Sequence, residues 1–129
     1  MTTPSDDLLV DLAAARVGGR VLAANDEFFA EKENLVADAN PVSDPDRYTE
    51  RGKWMDGWET RRRREPGHDW VIVRLGISGI IHRIVVDTAF FTGNYPESCA
   101  LESSDLIGDP DPTEIDPSRW IEVVPRTPL

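Results

Sequence analysis

The chain has 129 residues, a length suited to one domain with a real hydrophobic core and too short for two domains of ordinary size. Its 24 acidic residues outnumber its 14 lysines and arginines, and the resulting net charge of −10 repels nucleic acid and anionic membranes. The single Cys99 excludes an intrachain disulfide and no apolar run approaches the ~20 residues of a membrane span, so we predict a reduced, soluble, cytoplasmic protein.

The first predicted element is a short N-terminal helix. Ser5-Asp6-Asp7 supply a helix cap, apolar residues follow at helical spacing, and Gly18-Gly19 end the helix. From Val21 the helical period fades, and residues 25–35 mix aromatic with acidic side chains in neither period, which indicates an ordered loop. Residues 38–46 are polar and contain two prolines, so they are predicted to form a connection.

Strands dominate the sequence after residue 70. Residues 70–75 and 80–87 are rich in β-branched side chains and flank Gly76-Ile77-Ser78-Gly79, as in an antiparallel hairpin. Residues 98–103 and 120–124 are two further predicted strands, and the segment between them contains a turn-rich surface loop. Few helices and many short strands favour an all-β fold built as a β-sandwich.

Residues 52–64, which read GKWMDGWETRRRR, form the most informative segment. They crowd two tryptophans, two carboxylates and five cations into 13 positions of an otherwise acidic chain. Large apolar rings gain by burial, so the segment is predicted to be ordered, with a cationic pocket for a small anion. Consecutive residues of extended backbone face opposite sides, so at most two of the four arginines at 61–64 share one pocket. Salt bridges to surface acids are the competing interpretation of each arginine.

His68 is the first candidate for proton transfer, because it lies at the mouth of a predicted strand, where loops usually carry function. His82 lies in mid-strand and is excluded on that ground. Asp56 and Glu59 are the acids nearest to the arginine run. They are either general acid or base groups or salt-bridge partners of the arginines.

The sequence carries only a weak signal for a metal site. The two histidines have no carboxylate at metal-ligand spacing. Asp26, Glu27, His68 and Asp87 become ligands of a divalent cation only if the fold gathers them. No cofactor is predicted, and a divalent metal is left open. Serine-hydrolase, phosphate-loop and dinucleotide-binding motifs are all missing from the sequence.

Residues 87–97, DTAFFTGNYPE, leave a predicted strand and enter a loop with hydroxyl, amide, phenol and carboxylate groups. Such a loop is suited to wrap a small polar ligand. The alternative is a turn in which Gly93-Asn94 takes special backbone angles and the aromatic rings plug the sandwich. Both interpretations stay open.

Taken in order, these segments resemble allantoicase, the allantoate amidinohydrolase of purine breakdown. The resemblance rests on GKWMDGWE followed by RRRR and PGHDW, and then on DTAFFTGNYPES, a long ordered series of rare residues. It implies hydrolysis of allantoate to ureidoglycolate and urea in the cytoplasm. It also implies an antiparallel jelly-roll β-sandwich similar to galactose-binding modules.

Members of that family contain two such repeats, whereas this chain resembles most of the first repeat without its final strands. An unpaired sheet edge and uncovered apolar surface are costly. We therefore expect a second repeat or another copy in a homo-oligomer to complete the sheet, or else a fragment of weak stability. The rival to an enzyme is a non-catalytic jelly-roll module for ligand binding or assembly. A carbohydrate-binding module is disfavoured by the arginine run.

Allantoate carries one carboxylate and two ureido groups on one carbon, so its pocket needs a cation together with paired donors and acceptors. On that chemistry we expect Arg62 or Arg64 to hold the carboxylate. Thr92 and Asn94 are expected to bond a ureido group, and Trp58 to form a pocket wall. The proton carrier for urea departure and water addition is expected among the histidine and the two acids described above.

Overall fold

The computed structural model describes residues 8–129. Over this range the chain forms short β-strands and 3-10 helices and no α-helix. The strands are β1 (Arg20–Ala24), β2 (Tyr48–Thr49), β3 (Gly52–Lys53), β4 (Val71–Arg74), β5 (Ser98–Ser103) and β6 (Ile121–Pro128). The 3-10 helices are Ala15–Val17, Lys32–Val36, Pro112–Glu114 and Pro117–Arg119. Every strand pair is antiparallel, which confirms the predicted all-β antiparallel class, while the jelly-roll arrangement stays a prediction.

The described residues belong to two compact units. The first unit ends at Asp87 and the second spans Thr88–Leu129. In the first unit β1 pairs with β4, and β2 pairs with β3. The second unit contains the pair β5 and β6. Between residues 8 and 129, no helix has the length and apolar character needed to cross a bilayer.

The predicted N-terminal helix is a 3-10 turn in the described range. Its proposed cap, Ser5-Asp6-Asp7, lies outside the described residues. In an α-helix Leu12 O would accept from Arg16 N, but here Leu12 O accepts from Gly76 N at 2.9 Å and Arg16 N donates to Asp38 Oδ1 at 2.9 Å. Tertiary hydrogen bonds therefore replace the helical ones, and Ala15–Val17 alone is assigned to a helix between residues 9 and 18.

The helix stop at Gly18-Gly19 is confirmed, and it has a second role. Gly18 adopts a left-handed φ of 97° and its N–H donates to Ala15 O at 2.9 Å. The backbone of Gly76 passes directly beside this pair. A Cβ on Gly76 would lie 2.2 Å from Val17 O, and one on Gly19 would lie 1.9 Å from Ala13 O. The crossing therefore has no room for a side chain at position 76, and the turn at Ala13-Ala14 leaves none at position 19.

The predicted hairpin between residues 70–75 and 80–87 is wrong. Strand β4 lies within the first of these segments, but its partner is β1, with Val21 opposite Val73 and Ala24 opposite Val71. Residues 80–87 form no strand with any described residue. Gly76, which was predicted to begin the hairpin turn, instead lies against the backbone of Val17 and Gly18-Gly19.

The strands predicted at residues 98–103 and 120–124 are confirmed as β5 and β6. They pair with each other, with Ser98 opposite Pro128 and Ser103 opposite Ile121. The segment between them has no strand and contains two 3-10 turns. A turn-rich loop was predicted there. Each of these turns has an aspartate cap: Asp111 Oδ1 accepts from Thr113 N, and Asp116 Oδ1 accepts from Ser118 N, both at 2.9 Å.

Among residues 8–129, the buried apolar residues are few and small. They are Ala14, Val21, Ala30 and Val36. In contrast, the segment 77–86 carries a series of exposed apolar side chains, of which Ile80 is 75% and Val85 69% exposed. The first unit therefore has exposed apolar surface, most of it on residues that were predicted to form a strand. Its explanation by absent final strands stays a prediction.

Candidate functional site

An open cleft of about 630 Å³ lies in the first unit, where β1 passes into the following loop. Residues 22–28 form one side of it, and Lys32, Arg51 and Arg61 are the remaining lining residues. These three cations face two carboxylates, Asp26 and Glu27. A third carboxylate, Glu33, lies 2.6 Å from Lys32 Nζ, so the charges around the cleft balance. In a chain whose net charge is −10, such a neutral cluster repels a small anion less than the rest of the surface does.

The carboxylate of Asp26 organises the cleft. Its Oδ1 accepts the backbone N–H groups of Phe28 at 2.9 Å and Arg61 at 3.1 Å, and its Oδ2 accepts Arg61 Nε–H at 2.6 Å. The Asp26 side chain is only 14% exposed, whereas that of Arg61 is 66% exposed. Asp26 thus holds the backbone N–H and the Nε–H of Arg61, while most of the Arg61 side chain is open to solvent.

The surroundings of Asp26 favour its charged form. Partial burial raises the pKa of this carboxyl, but the hydrogen bonds from Phe28 N and Arg61 N and the Arg61 guanidinium outweigh burial and hold the pKa below its usual value of 3.8. Asp26 is therefore a fixed negative charge at neutral pH. A group in that state anchors a cation and does not act as a proton donor.

The segment after Gly57 lies beside the cleft through backbone pairing. Glu59 and Ala30 exchange hydrogen bonds, with Ala30 N to Glu59 O at 3.1 Å and Glu59 N to Ala30 O at 3.2 Å. Trp58 Nε1 donates to Asp26 O at 2.7 Å. These bonds fix the register that delivers Arg61 to the carboxylate of Asp26.

Lys32 and Arg51 are already engaged with protein oxygens. Lys32 Nζ lies 2.6 Å from Glu33 Oε1 and 3.3 Å from Glu27 Oε2, and Arg51 Nη1 donates to Glu27 O. The Glu33 carboxylate raises the pKa of Lys32 above its usual value, and Lys32 in turn lowers the pKa of Glu33. Lys32 and Arg51 thus bind protein oxygens that lie at the cleft, which leaves them fewer N–H donors for a ligand.

A second polar cluster joins the start of β4 to the arginine segment. Asp69 accepts from Asn25 Nδ2 at 2.7 Å and from Thr60 Oγ1 at 2.9 Å, and Arg63 Nη1 lies 3.7 Å away. Asn25 also bonds Trp70 in both directions, through its side-chain oxygen at 2.8 Å and its N–H at 3.2 Å. This cluster positions Asn25, the residue immediately before Asp26, at the rim of the cleft.

The sequence of the chain matches a known protein family. The allantoicase repeat family matches residues 10–129. The chain belongs to this family. It is 47% identical to a probable allantoicase of Streptomyces coelicolor over 131 residues, covering 92% of this chain and 35% of that protein. It is also 47% identical to a probable allantoicase of Nocardia farcinica, covering 94% of this chain and 37% of that protein.

The fold is shared with a solved allantoicase. The crystal structure of allantoicase from Saccharomyces cerevisiae matches this allantoicase repeat with a TM-score of 0.72 at 35% identity, covering 93% of this chain and 35% of that chain. The repeat therefore spans about a third of the length of the curated relatives and of the solved structure that it matches.

The predicted carboxylate-binding arginines of the repeat lie outside the cleft. Arg62 and Arg64 are exposed, and neither forms an ion pair or hydrogen bond with residues 8–129. Arg61 and Arg63 contact Asp26 and Asp69 instead. The expected alternation of faces along the run is therefore present.

The predicted proton carriers are separated. Glu59 is half-buried beside the cleft through its backbone pairing with Ala30. Asp56 accepts the backbone N–H of Val42 at 2.8 Å through Oδ2 and does not line the cleft. His68 lies in the loop before β4. Its side chain is exposed and does not line the cleft. Of the three, Glu59 is the one that the backbone holds next to the cleft residues.

Trp58 is half-buried. Its indole N–H donates to the backbone oxygen of Asp26, and the residue does not line the cleft. Trp54 lies elsewhere in the first unit, where the Arg47 guanidinium stacks 4.5 Å from its ring centroid. Both tryptophans are thus ordered, as predicted for the segment. The pocket-wall role of Trp58 stays a prediction.

Thr92 and Asn94 belong to the second unit, and both are exposed. Their loop follows a tight turn in which Phe91 N donates to Thr88 O at 3.0 Å. Phe90 in this turn has a φ of 68° and Gly93 a φ of 83°. Of the special backbone angles that one interpretation placed at Gly93-Asn94, the one at Gly93 is present, and Asn94 has no positive φ. The positive φ at Phe90, which is unusual for an aromatic residue, was not predicted.

No group of three or more His, Cys, Asp or Glu side chains among residues 8–129 is arranged to hold a metal ion. Asp26 and Glu27, two of the four candidate ligands, are occupied by Arg61 and Lys32. The cleft residues that sequence analysis did not assign to the site are Arg61, Lys32, Arg51 and Phe28. The acidic pair Asp26-Glu27 was a signal for nearby cations, whereas nothing in the sequence singled out Phe28.

Proposed function

We propose that this chain is one repeat of an enzyme that hydrolyses allantoate to ureidoglycolate and urea. The observation that carries the proposal is the match of the allantoicase repeat over residues 10–129, supported by a cleft lined by three cations in an acidic chain. The chain spans about a third of the length of its relatives, and a second repeat or further copies are its proposed partners. The cytoplasm is the proposed location.

The cleft chemistry suits the substrate. Allantoate is a small anion, and its carboxylate needs a guanidinium or ammonium group at a fixed position. Hydrolysis adds water to the carbon that loses urea, so one proton must reach the departing nitrogen and one must leave the water. Glu59, His68 and Asp56 remain the proposed proton carriers. Thr92 and Asn94 are proposed to bond a ureido group, with Trp58 as a wall.

The proposal is tested by incubating the purified chain with allantoate and measuring urea. The probable allantoicase of Streptomyces coelicolor is assayed beside it at equal molar concentration as the reference. Urea from both proteins supports an active repeat. Urea from the reference alone assigns activity to the longer protein and leaves this chain as a part of it. Allantoate that is stable with both proteins contradicts the proposal.

A second candidate function is a non-catalytic module that binds the same ligand or assembles with another repeat. The coverage of about a third of the relatives favours it over an independent enzyme. Calorimetric titration separates the two: a module binds allantoate without releasing urea, whereas an active repeat releases urea at the same ligand concentration.

A further inference from the structure

The guanidinium of Arg61 has N–H donors that no residue between 8 and 129 accepts. Its Nε–H and its backbone N–H both go to Asp26, at 2.6 and 3.1 Å. Its Nη1 and Nη2 groups make no hydrogen bond or ion pair with residues 8–129, and the side chain is 66% exposed while lining the cleft. An arginine bound through Nε leaves its two Nη groups for a second acceptor, and a planar carboxylate fits such a pair.

The same guanidinium is held rigid before any ligand arrives. Asp26 fixes one edge, and the Phe28 ring supports one face, with Arg61 Cζ 4.9 Å from the ring centroid. Phe28 stands in turn against Phe29 in an edge-to-face contact with centroids 4.8 Å apart. A donor held in place by its neighbours loses less entropy on binding than a free arginine does.

The other cations near the segment are less suitable. Lys32 is shared between Glu27 and Glu33, and Arg51 has one Nη group on the Glu27 carbonyl. Arg62 and Arg64 are exposed, lie outside the cleft lining and have no protein partner among residues 8–129 that would hold them in place.

We propose that Arg61 binds the carboxylate of the substrate through its Nη groups and that Asp26 is the positioning residue that aims it. The identity of the ligand as allantoate rests on the proposed function. The role of Arg61 as the anion anchor of the cleft rests on its own contacts. This assigns to Arg61 the task that sequence chemistry alone gives to Arg62 or Arg64.

The test uses two ligands and calorimetric titration: allantoate, and its methyl ester, which lacks the charge. The wild-type chain is expected to bind allantoate at least about tenfold more tightly than the ester, a difference of roughly 1.4 kcal/mol. Arg61→Ala removes this preference and leaves ester binding within about twofold. Arg61→Lys retains part of the preference, because a point charge replaces the fork. The matched control, Arg62→Ala with Arg64→Ala, leaves both affinities unchanged.

Asp26→Asn tests the positioning role with a separate readout. The Nε–H resonance of Arg61, assigned by its loss in Arg61→Ala, is expected to be shifted and slow to exchange in the wild type and ordinary in Asp26→Asn. Preference for the charged ligand falls in parallel. If Asp26→Asn does not fold, as judged by circular dichroism, Arg61→Lys and the exposed-arginine control still decide the role of Arg61.

The two possible failures differ. Equal preference for allantoate in wild type and Arg61→Ala, or loss of preference in the Arg62 and Arg64 double variant alone, overturns the Arg61 assignment while the proposed function stands. A wild-type chain that binds neither compound overturns the proposed function for this chain and the assignment with it.

Discussion

Asp26 accepts two hydrogen bonds from Arg61, one from its backbone N–H at 3.1 Å and one from its Nε–H at 2.6 Å, although the residues are 35 positions apart. The pair ties the end of β1 to the arginine segment and builds the charged side of the cleft. Because the bonds need the ionised carboxylate, they also connect the stability of the first unit to pH.

The first prediction concerns this pH dependence. The folded pKa of Asp26 lies below 3.8, so its contribution to stability is present above that value and is lost as pH falls through the lower folded pKa. Asp26→Asn should therefore be less stable than wild type near pH 6. The difference between the two free energies of unfolding should shrink as the pH falls below 3.8 and vanish below the folded pKa. Urea unfolding at a series of pH values measures both. A constant difference between the proteins at every pH would contradict the ion-pair explanation.

The second prediction concerns Asp69, which joins Asn25, Thr60 and Arg63. Asp69→Ala removes two hydrogen bonds to a carboxylate and should lower the free energy of unfolding by about 1–3 kcal/mol. Glu65→Ala is the matched control, because Glu65 is exposed and forms no bond with residues 8–129, and it should change stability by less than about 0.5 kcal/mol. Equal effects of the two substitutions in thermal unfolding would remove the structural role of the cluster.

Local patterns predicted β5, β6 and the presence of β4, because each strand is bounded by turn residues within a few positions. The partner of β4 was not predictable in this way. The β1 sequence RVLAA contains a single β-branched residue, so it has little strand signal of its own. Its pairing depends on the distant crossing of Gly76 with Gly18-Gly19, which no local pattern reveals.

The candidate site shows the same division between local and distant information. Alternation along extended backbone predicts that Arg61 and Arg63 share one environment and Arg62 and Arg64 another, and the contacts follow that rule. Which set faces the protein depends on the register between Glu59 and Ala30, and that register is a tertiary property. The sequence chemistry therefore identified the run but not the member that enters the cleft.

The third prediction concerns the glycine crossing. Gly19→Ala and Gly76→Ala each place a Cβ against backbone atoms, at 1.9 Å from Ala13 O and 2.2 Å from Val17 O, and backbone cannot rotate away. Each substitution should destabilise the chain by at least about 1–3 kcal/mol. In Gly79→Ala, the control, the new Cβ meets only the Leu12 side chain at 3.2 Å, which can adjust. Circular dichroism melting compares the three, and a Gly76→Ala melting temperature equal to that of Gly79→Ala would refute the close approach.

The fourth prediction concerns self-association. The exposed apolar side chains at residues 77–86 offer a sticky, strand-prone surface, so the isolated chain should associate as its concentration rises. Ile80→Lys with Val85→Lys should lower the weight-average mass in sedimentation experiments. Ile107→Lys, at a fully exposed isoleucine of the second unit, should leave the mass unchanged. If all three proteins sediment alike, the segment does not drive association.

The pairing of β1 with β4 also has a kinetic consequence. It joins residues separated by roughly 50 positions, so the intervening chain must be closed into a loop, at an entropic cost, before the strands can gain from meeting. Short 3-10 turns form without that delay. During synthesis on the ribosome, β1 can therefore pair with β4 only after Arg74 has emerged, so the first unit cannot complete this sheet earlier.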